Sequence, residues 1–118
     1  MKKKIVIAED DPGLMDVLLL VFKRAGYEAA GYLNGSALLK EALQPPDIFL
    51  IDKQLSGIDG LDICRYLKKS VEHAQVPVII FSASPGIEPL VKTAGGDAFI
   101  EKPFSNNDLL DLVAELVK

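Results

Sequence analysis

The chain has almost no cysteine, no long apolar run and no excess of positive charge, and each absence excludes a class of protein. Of the 118 residues only Cys64 is a cysteine, so no disulfide can form within the chain. This is typical of proteins from reducing compartments. Every uncharged apolar run is far shorter than the roughly 18 residues that a membrane-spanning helix needs. We therefore expect a cytoplasmic location and no membrane insertion.

The charge balance argues against non-specific binding to nucleic acid. The sequence contains 13 Lys and Arg residues and 17 Asp and Glu residues, and its formal net charge is −4. Domains that hold a nucleic-acid backbone by charge are usually basic. We expect no direct nucleic-acid contact by this chain, because a basic protein surface or a divalent cation is a better match for its charge.

The order of apolar segments predicts an α/β fold. Hydrophobic residues make up 49% of the chain, which is enough for one sizeable core, and we expect a single domain over residues 1–118. Short apolar runs alternate with segments of helical period, which indicates a parallel sheet covered by helices on both faces. The predicted strands cover residues 4–8, 27–31, 47–51, 76–81 and a short segment around Phe99. The predicted helices cover 12–25, 36–43, 60–71, 89–94 and the residues after Ser105, which is expected to cap the last helix. Residues 53–59 are predicted to form a loop.

Four of the five predicted strands are followed by charged or hydroxyl residues. The carboxyl ends of parallel strands lie at one edge of a sheet, where open α/β folds bind their ligands. We therefore expect these side chains to converge. They are Glu9, Asp10 and Asp11 after the first strand, Asp52 after the third, Ser82 after the fourth, and Glu101 and Lys102 after the fifth.

Asp52 and Lys102 indicate phosphoryl chemistry when they are considered together. A carboxylate at the end of a buried strand is costly unless a cation pairs with it, and Lys102 or a metal ion could do so. Carboxylates are competent nucleophiles toward phosphorus, and a lysine ammonium or the Ser82 hydroxyl can hold phosphate oxygens. Taken singly, each of these three residues also has an ordinary structural interpretation. Asp52 could cap a strand–loop junction, Lys102 could be a surface lysine, and Ser82 could be an ordinary serine at the end of a strand.

The acidic run after the first strand indicates a hard cation. Three adjacent carboxylates repel one another, and a divalent cation removes that cost. Mg²⁺ prefers few carboxylates together with waters and phosphate oxygens. Asp10 is the best candidate for a direct ligand, Glu9 for a ligand that acts through water, and Asp11 for the cap of the first helix. A solvated acidic turn is the alternative for these residues alone.

In combination these residues resemble the receiver domain of response regulators in two-component signalling, over essentially the whole chain. Each motif is weak alone, but the four are specific in this order and spacing. They are Ile7-Ala8-Glu9-Asp10-Asp11-Pro12, then Asp52 with Gly57-Ile58-Asp59-Gly60, then Pro77-Val78-Ile79-Ile80-Phe81-Ser82-Ala83, and finally Gly95-Gly96-Asp97-Ala98-Phe99-Ile100-Glu101-Lys102-Pro103-Phe104.

The resemblance implies a flavodoxin-like (βα)5 sandwich with strand order 2-1-3-4-5. It implies that Asp52 accepts a phosphoryl group from a sensor histidine kinase or a histidine phosphotransfer protein, and that phosphorylation changes the binding of a downstream protein target. The chain would then be a switch and not a turnover enzyme.

The same resemblance implies roles for individual residues. Mg²⁺ would be held by Asp10, Asp52 and the backbone carbonyl of Gln54, with Glu9 assisting. Ser82 and Lys102 would hold the phosphoryl oxygens, and Ser82 and Phe99 would move as the switch. The Lys102–Pro103 peptide bond is expected to be cis, as it often is in this family.

The chain departs from the family pattern in two places. Ser56 stands where the family usually has proline, which predicts a less restrained loop after Asp52. The interval from Ser82 to Lys102 is about two residues shorter than usual, which predicts a short fourth helix. Outside the motifs, His73 is interpreted as a solvated loop residue and Cys64 as a core side chain on the third helix.

Three other functions remain open at this point. A degenerate receiver would bind partners without phosphorylation, although the presence of Asp52, Ser82 and Lys102 speaks against it. A phosphatase of the haloacid dehalogenase type would need an Asp-x-Asp motif, whereas Lys53 and Gln54 follow Asp52. A flavodoxin-like cofactor binder would need a glycine-rich phosphate loop after the first strand, where this chain has three acids.

Overall fold

The computed structural model describes residues 2–40 and 44–117, in which a parallel sheet lies between two layers of helices. The strands are β1 (Lys4–Ala8), β2 (Glu28–Tyr32), β3 (Ile48–Asp52), β4 (Gln54–Leu55), β5 (Ile58–Asp59), β6 (Val78–Ser82) and β7 (Ala98–Glu101). The helices are α1 (Pro12–Arg24), α2 (Gly35–Lys40), α3 (Gly60–Lys69), α4 (Glu88–Thr93) and α5 (Asn106–Leu116). No helix in these two ranges has the length and apolar character to cross a bilayer.

The sheet has the predicted topology. Its order is β2-β1-β3-β6-β7, and every neighbouring pair is parallel. Counted over these five strands alone, the order is 2-1-3-4-5, which confirms the expectation. In register, Asp52 pairs with Phe81 and Ser82 pairs with Glu101. The carboxyl ends of β3, β6 and β7 therefore lie side by side at one edge.

Both faces of the sheet are covered, which explains why the central strands are apolar at every position. β3 and β6 are buried throughout, as expected for parallel strands between helices. Alternate residues contribute to two separate cores. One contains Ile5, Ile7, Ile48, Leu50, Ile79 and Phe81 with α1 and α5, and the other contains Val6, Ala8, Phe49, Ile51, Val78 and Ile80 with α2, α3 and α4.

The ends of the first and last helices follow from their sequences. The Asp11 carboxylate caps α1 by accepting from the Gly13 amide at 2.9 Å, and Pro12 occupies the first turn. Gly26 follows the last turn with a φ of +95°, a left-handed conformation that suits glycine. At α5 the Ser105 hydroxyl accepts from the Asp108 amide at 3.0 Å. The predicted caps at Asp11 and Ser105 are therefore confirmed.

The structure corrects several local expectations. Residues 53–59 are more than a loop, because Gln54–Leu55 and Ile58–Asp59 pair as a short antiparallel hairpin. The helix predicted to reach residue 71 ends at Lys69, and Val71 is 95% exposed. Of the helix predicted over 36–43, residues 41–43 lie outside the described residues. Other element boundaries differ from the prediction by one or two residues. The cis Lys102–Pro103 bond and the short α4 agree with expectation.

The interpretation of His73 as a solvated residue is wrong. His73 is buried and packs against Phe49, with ring centroids 5.8 Å apart. The segment after α3 forms its own turn, in which the His73 and Ala74 amides both donate to the Ser70 carbonyl. This turn folds over the edge where β3 and β6 begin, an arrangement that polar composition alone does not reveal.

Cys64 is a core residue as predicted, and burial raises the pKa of its thiol to about 11.

Candidate functional site

Asp52 ends β3 and is held at both of its carboxylate oxygens. Its side chain is 5% exposed, Oδ1 accepts from the Gln54 amide at 3.0 Å, and Oδ2 accepts from Lys102 Nζ at 3.0 Å. The chain after β3 also packs very closely here, because a Cβ on Gly60 would lie 2.1 Å from the Asp52 carbonyl oxygen. Two directed partners and tight backbone packing give this buried carboxylate one defined orientation.

Lys102 connects Asp52 to the acidic run after β1. Its Nζ lies 3.0 Å from Glu9 Oε1 as well as 3.0 Å from Asp52 Oδ2, and 4.7 Å from the centroid of the Phe81 ring. Burial alone would lower the pKa of Lys102, but its hydrogen bonds to both carboxylates and their charges raise it overall. The ammonium group therefore stays charged and offsets the cost of burying two acids.

Glu9 is almost completely buried, at 1% exposure. Burial raises its pKa to about 7. Hydrogen bonds from the Asp11 amide and from Lys102 act in the opposite direction, while the neighbouring Asp52 charge adds to the rise. Without a further cation, the Glu9 carboxylate is thus poorly stabilised in its charged form at neutral pH.

Asp10 completes a cluster of three carboxylates. Carboxylate oxygens of Glu9, Asp10 and Asp52 lie within 4.8 Å of one another. Asp10 is half-buried, and its Oδ2 accepts from the Ser56 hydroxyl at 2.9 Å. This hydrogen bond is the main reason why the pKa of Asp10 lies below its usual range. One ammonium group thus faces three acids in a small volume.

Ser82 and Gln54 lie beside Asp52 on its neighbouring segments. Ser82 ends β6, is fully buried, and its Oγ accepts from the Ser84 amide at 3.0 Å. Gln54 begins β4, and its side-chain amide donates to Ser84 Oγ at 3.4 Å. The structure places both residues at the same edge of the sheet as Asp52, and their predicted roles toward phosphate and metal stay predictions.

Phe99 and Asp11 stand apart from this cluster. Phe99 lies on β7 opposite Ile80 and is partly buried against the core formed with α2, α3 and α4. Asp11 caps α1, and its amide donates to Glu9 Oε2 at 3.1 Å. The role of Phe99 as a switch residue stays a prediction, and Asp11 acts locally as a helix cap, as predicted.

Ser56 is the residue that sequence reasoning missed. The sequence distinguishes it only as a residue in the place of the family's usual proline, whereas in the structure its hydroxyl donates to Asp10, 46 positions earlier in the chain. A side-chain contact across that distance leaves no periodicity or local motif. Only the predicted convergence of the β1 and β3 ends could have suggested that a hydroxyl after Asp52 reaches the acidic run.

Known proteins match this chain over nearly its whole length. A family model described as the response regulator receiver domain matches residues 5–114. The DNA-binding response regulator MtrA of Mycolicibacterium smegmatis is 30% identical over 113 residues, which cover 93% of this chain and 48% of MtrA. The uncharacterized transcriptional regulatory protein YrkP of Bacillus subtilis is 33% identical, with 92% and 47% covered.

Solved structures give the same match in three dimensions. The signal receiver domain of a signal transduction histidine kinase from Syntrophus aciditrophicus superposes with a TM-score of 0.86 at 29% identity. The match covers 98% of this chain and 89% of that one. By contrast, the chain spans only about half the length of the curated relatives that it matches.

Proposed function

Because this chain belongs to the response regulator receiver domain family, we propose that it is a signalling switch that accepts a phosphoryl group on Asp52. The donor is a phosphohistidine on a sensor histidine kinase or a histidine phosphotransfer protein, and the modified chain changes its binding to a downstream protein. One observation carries the proposal: Lys102 Nζ lies 3.0 Å from a buried Asp52 carboxylate that is also within 4.8 Å of two further acids.

In the transfer step a carboxylate oxygen of Asp52 forms a bond to phosphorus. The bond between phosphorus and the donor nitrogen breaks, and its electron pair returns to the histidine ring. Catalysis of such a step is mostly positioning together with stabilisation of charge on the phosphoryl oxygens. The Lys102 ammonium and the Ser82 hydroxyl supply donors for those oxygens, since a hydroxyl that already accepts one hydrogen bond still has a proton to donate.

The residues at this edge fit a hard divalent cation such as Mg²⁺. Three carboxylates with oxygens within 4.8 Å of one another face a single ammonium group, and carboxylate oxygens suit Mg²⁺. Asp10, Asp52 and the Gln54 carbonyl would hold the ion, with Glu9 assisting. When bound, the ion supplies positive charge that neutralises phosphoryl oxygens.

The switch is a shift between two populated states that the new charge on Asp52 biases. Ser82 moves toward the phosphoryl group, to which its hydroxyl donates. Phe99 then buries more of its ring, which the structure leaves only partly covered. The surface around Phe99 and α4 changes shape as a result, and a downstream protein distinguishes the two states there.

The proposal covers residues 1–118 as one receiver domain. MtrA is a DNA-binding response regulator about twice as long as this chain. The expectation of no direct nucleic-acid contact therefore applies to these residues, and not to any longer protein that contains them. The proposed partners of the domain itself are proteins.

Intact mass spectrometry tests the proposal. The protein is incubated with Mg²⁺ and a small phosphodonor such as acetyl phosphate, and wild type is compared with Asp52→Asn. Asp62→Asn is the matched control, because Asp62 is an exposed acid on α3 that pairs with Arg65. We expect one phosphoryl adduct on wild type and on Asp62→Asn, and none on Asp52→Asn or after removal of Mg²⁺.

Two results contradict the proposal. A wild-type protein that gains no adduct favours a degenerate receiver that binds its partners without phosphorylation. Rapid release of phosphate from many phosphate esters favours a hydrolase that uses the same aspartyl chemistry.

A further inference from the structure

The hairpin formed by β4 and β5 is attached to the acidic cluster at two points. At its start, the Gln54 amide donates to Asp52 Oδ1 at 3.0 Å. At its turn, the Ser56 hydroxyl donates to Asp10 Oδ2 at 2.9 Å. The hairpin therefore contacts both carboxylates to which the proposed function assigns the cation.

The turn of the hairpin gives Ser56 a defined position. Leu55 pairs with Ile58, and Gly57 has a φ of +80°, which completes the reversal between the strands. Leu55 is buried in the core, and this fixes the residue directly before Ser56. An exposed serine on a paired hairpin turn that follows a buried leucine is a more directed donor than a serine on a mobile loop.

We propose that Ser56 is a positioning residue for the cation site, whose hydroxyl holds the Asp10 carboxylate toward Asp52 and the hairpin. The inference rests on the proposed function, since it concerns the same cation. The Ser56 hydroxyl occupies one acceptor position of Asp10 Oδ2, and a carboxylate has about four such positions, so this contact does not prevent a cation from binding.

The physical reason is repulsion within the cluster. Before a cation arrives, a carboxylate oxygen of Asp10 lies within 4.8 Å of one of Asp52, and the repulsion between these two acids favours an orientation of Asp10 away from Asp52. The hydrogen bond from Ser56 opposes that rotation. Part of the ordering cost of cation binding is then already met in the free protein.

The size of the effect follows from related metal sites. Loss of a group that orients a metal ligand typically weakens metal affinity about 10- to 100-fold. Ser56 is exposed, and water can partly replace its hydroxyl. We therefore expect Ser56→Ala to weaken Mg²⁺ binding by roughly three- to tenfold.

Isothermal titration calorimetry with Mg²⁺ alone tests this on four proteins: wild type, Ser56→Ala, Ser56→Thr and Ser36→Ala. Threonine keeps the hydroxyl and should bind within about twofold of wild type. Ser36 is an exposed serine on α2, and its replacement by alanine should leave the affinity unchanged. The melting temperature without Mg²⁺ should be the same for wild type and Ser56→Ala, which separates positioning from a purely structural role.

Phosphorylation gives a second readout. Ser56→Ala should need more Mg²⁺ for half-maximal adduct formation and should reach the wild-type extent at saturation. The inference is overturned if wild type and Ser56→Ala bind Mg²⁺ with equal affinity, or if Ser56→Thr binds Mg²⁺ as weakly as Ser56→Ala. Either result leaves the proposed function intact. A wild-type protein that binds no Mg²⁺ but is phosphorylated also overturns it, whereas one that does neither overturns the proposed function as well.

Discussion

At the end of the sheet where β6 and β7 begin, Lys68 and Asp97 form an ion pair that is also hydrogen-bonded to the backbone. Its Nζ donates to Asp97 Oδ2 and to the Val76 carbonyl, each at 2.8 Å, and the Val78 amide donates to the same Asp97 oxygen at 2.8 Å. At the end where these strands finish, Lys102 also bonds at 3.0 Å, but to two carboxylates with a third beside them.

The difference distinguishes a structural ion pair from the proposed phosphorylation site. Lys68 meets one acid, and a backbone amide donates a second hydrogen bond to the same oxygen of that acid. Lys102 meets an excess of acid, which folding alone would not favour, because buried carboxylates repel one another and lose hydration. A protein keeps such an imbalance where another cation or a charged reactant completes the set.

Replacing each lysine with methionine should give the largest difference between the two ends of the sheet. Lys102→Met removes the only ammonium group that the structure shows bonded to Glu9 or Asp52, and we expect phosphorylation to slow by about 100-fold or more. Its free energy of unfolding without Mg²⁺ should fall by about 3 kcal/mol, since two buried carboxylates lose their partner. Lys68→Met should cost about 1 kcal/mol and leave phosphorylation unchanged.

Urea unfolding with a chelator, and adduct formation by intact mass, measure the two effects. Added Mg²⁺ should narrow the stability difference between wild type and Lys102→Met, and should leave the difference between wild type and Lys68→Met unchanged, because it stabilises those two proteins equally. Equal phosphorylation rates in the two variants would contradict the assignment of Lys102 to the site and would make both lysines structural.

The comparison also shows what local sequence can predict. The strand order is implied by the resemblance to receiver domains. The caps at Asp11 and Ser105, and the placement of Asp52 and Lys102 at one edge, follow from local capping residues, apolar periodicity and the geometry of parallel sheets. Each of these depends on neighbours in sequence or on a rule that holds for every such sheet. The same reasoning assigned Cys64 to the core correctly.

What the sequence did not predict depends on contacts between distant segments. The burial of His73 requires the turn after α3 to fold back over Phe49, and the hydrogen bond of Ser56 requires two separate loops to meet. Both residues are polar and lie in polar stretches, so composition favours solvent for each of them. Their environment is set by tertiary packing, on which neither periodicity nor capping bears.

Two glycines show that the two ends of the sheet differ in how closely the backbone is packed. A Cβ on Gly60, beside Asp52, would approach the backbone carbonyl oxygen of Asp52 to 2.1 Å, whereas a Cβ on Gly26, before β2, meets nothing within 4 Å. Gly60→Ala should therefore lower the free energy of unfolding by roughly 3 kcal/mol and displace Asp52, which also slows phosphorylation. Gly26→Ala should cost about 1 kcal/mol, from its φ of +95° alone.

Urea unfolding and adduct formation check both glycine variants. The expected pattern is a loss of both stability and phosphorylation for Gly60→Ala, and of stability only for Gly26→Ala. A Gly60→Ala protein with wild-type phosphorylation would show that the tight backbone contact does not set the position of Asp52.

The smallest change in stability is expected for the substitution His73→Phe. His73 is a buried titratable group at the end of the sheet remote from Asp52. Its Nδ1 lies 3.0 Å from Ser70 Oγ, and within residues 2–40 and 44–117 no group bonds to its Nε2. A buried polar atom without a partner costs stability, and an apolar group of similar shape removes that cost.

His73→Phe should therefore leave the free energy of unfolding unchanged or raise it by up to about 1 kcal/mol. His73→Ala should lower the free energy of unfolding by about 1–2 kcal/mol, because it leaves a cavity beside Phe49. The Ser70 hydroxyl loses its partner His73 Nδ1 in both variants, but it is partly exposed and can form a hydrogen bond with water instead. Neither variant should alter phosphorylation, because no contact shown connects His73 to the acidic cluster. A His73→Phe protein that loses phosphorylation would mean that the two ends of the sheet are coupled, and the distinction between a structural end and a functional end would fail.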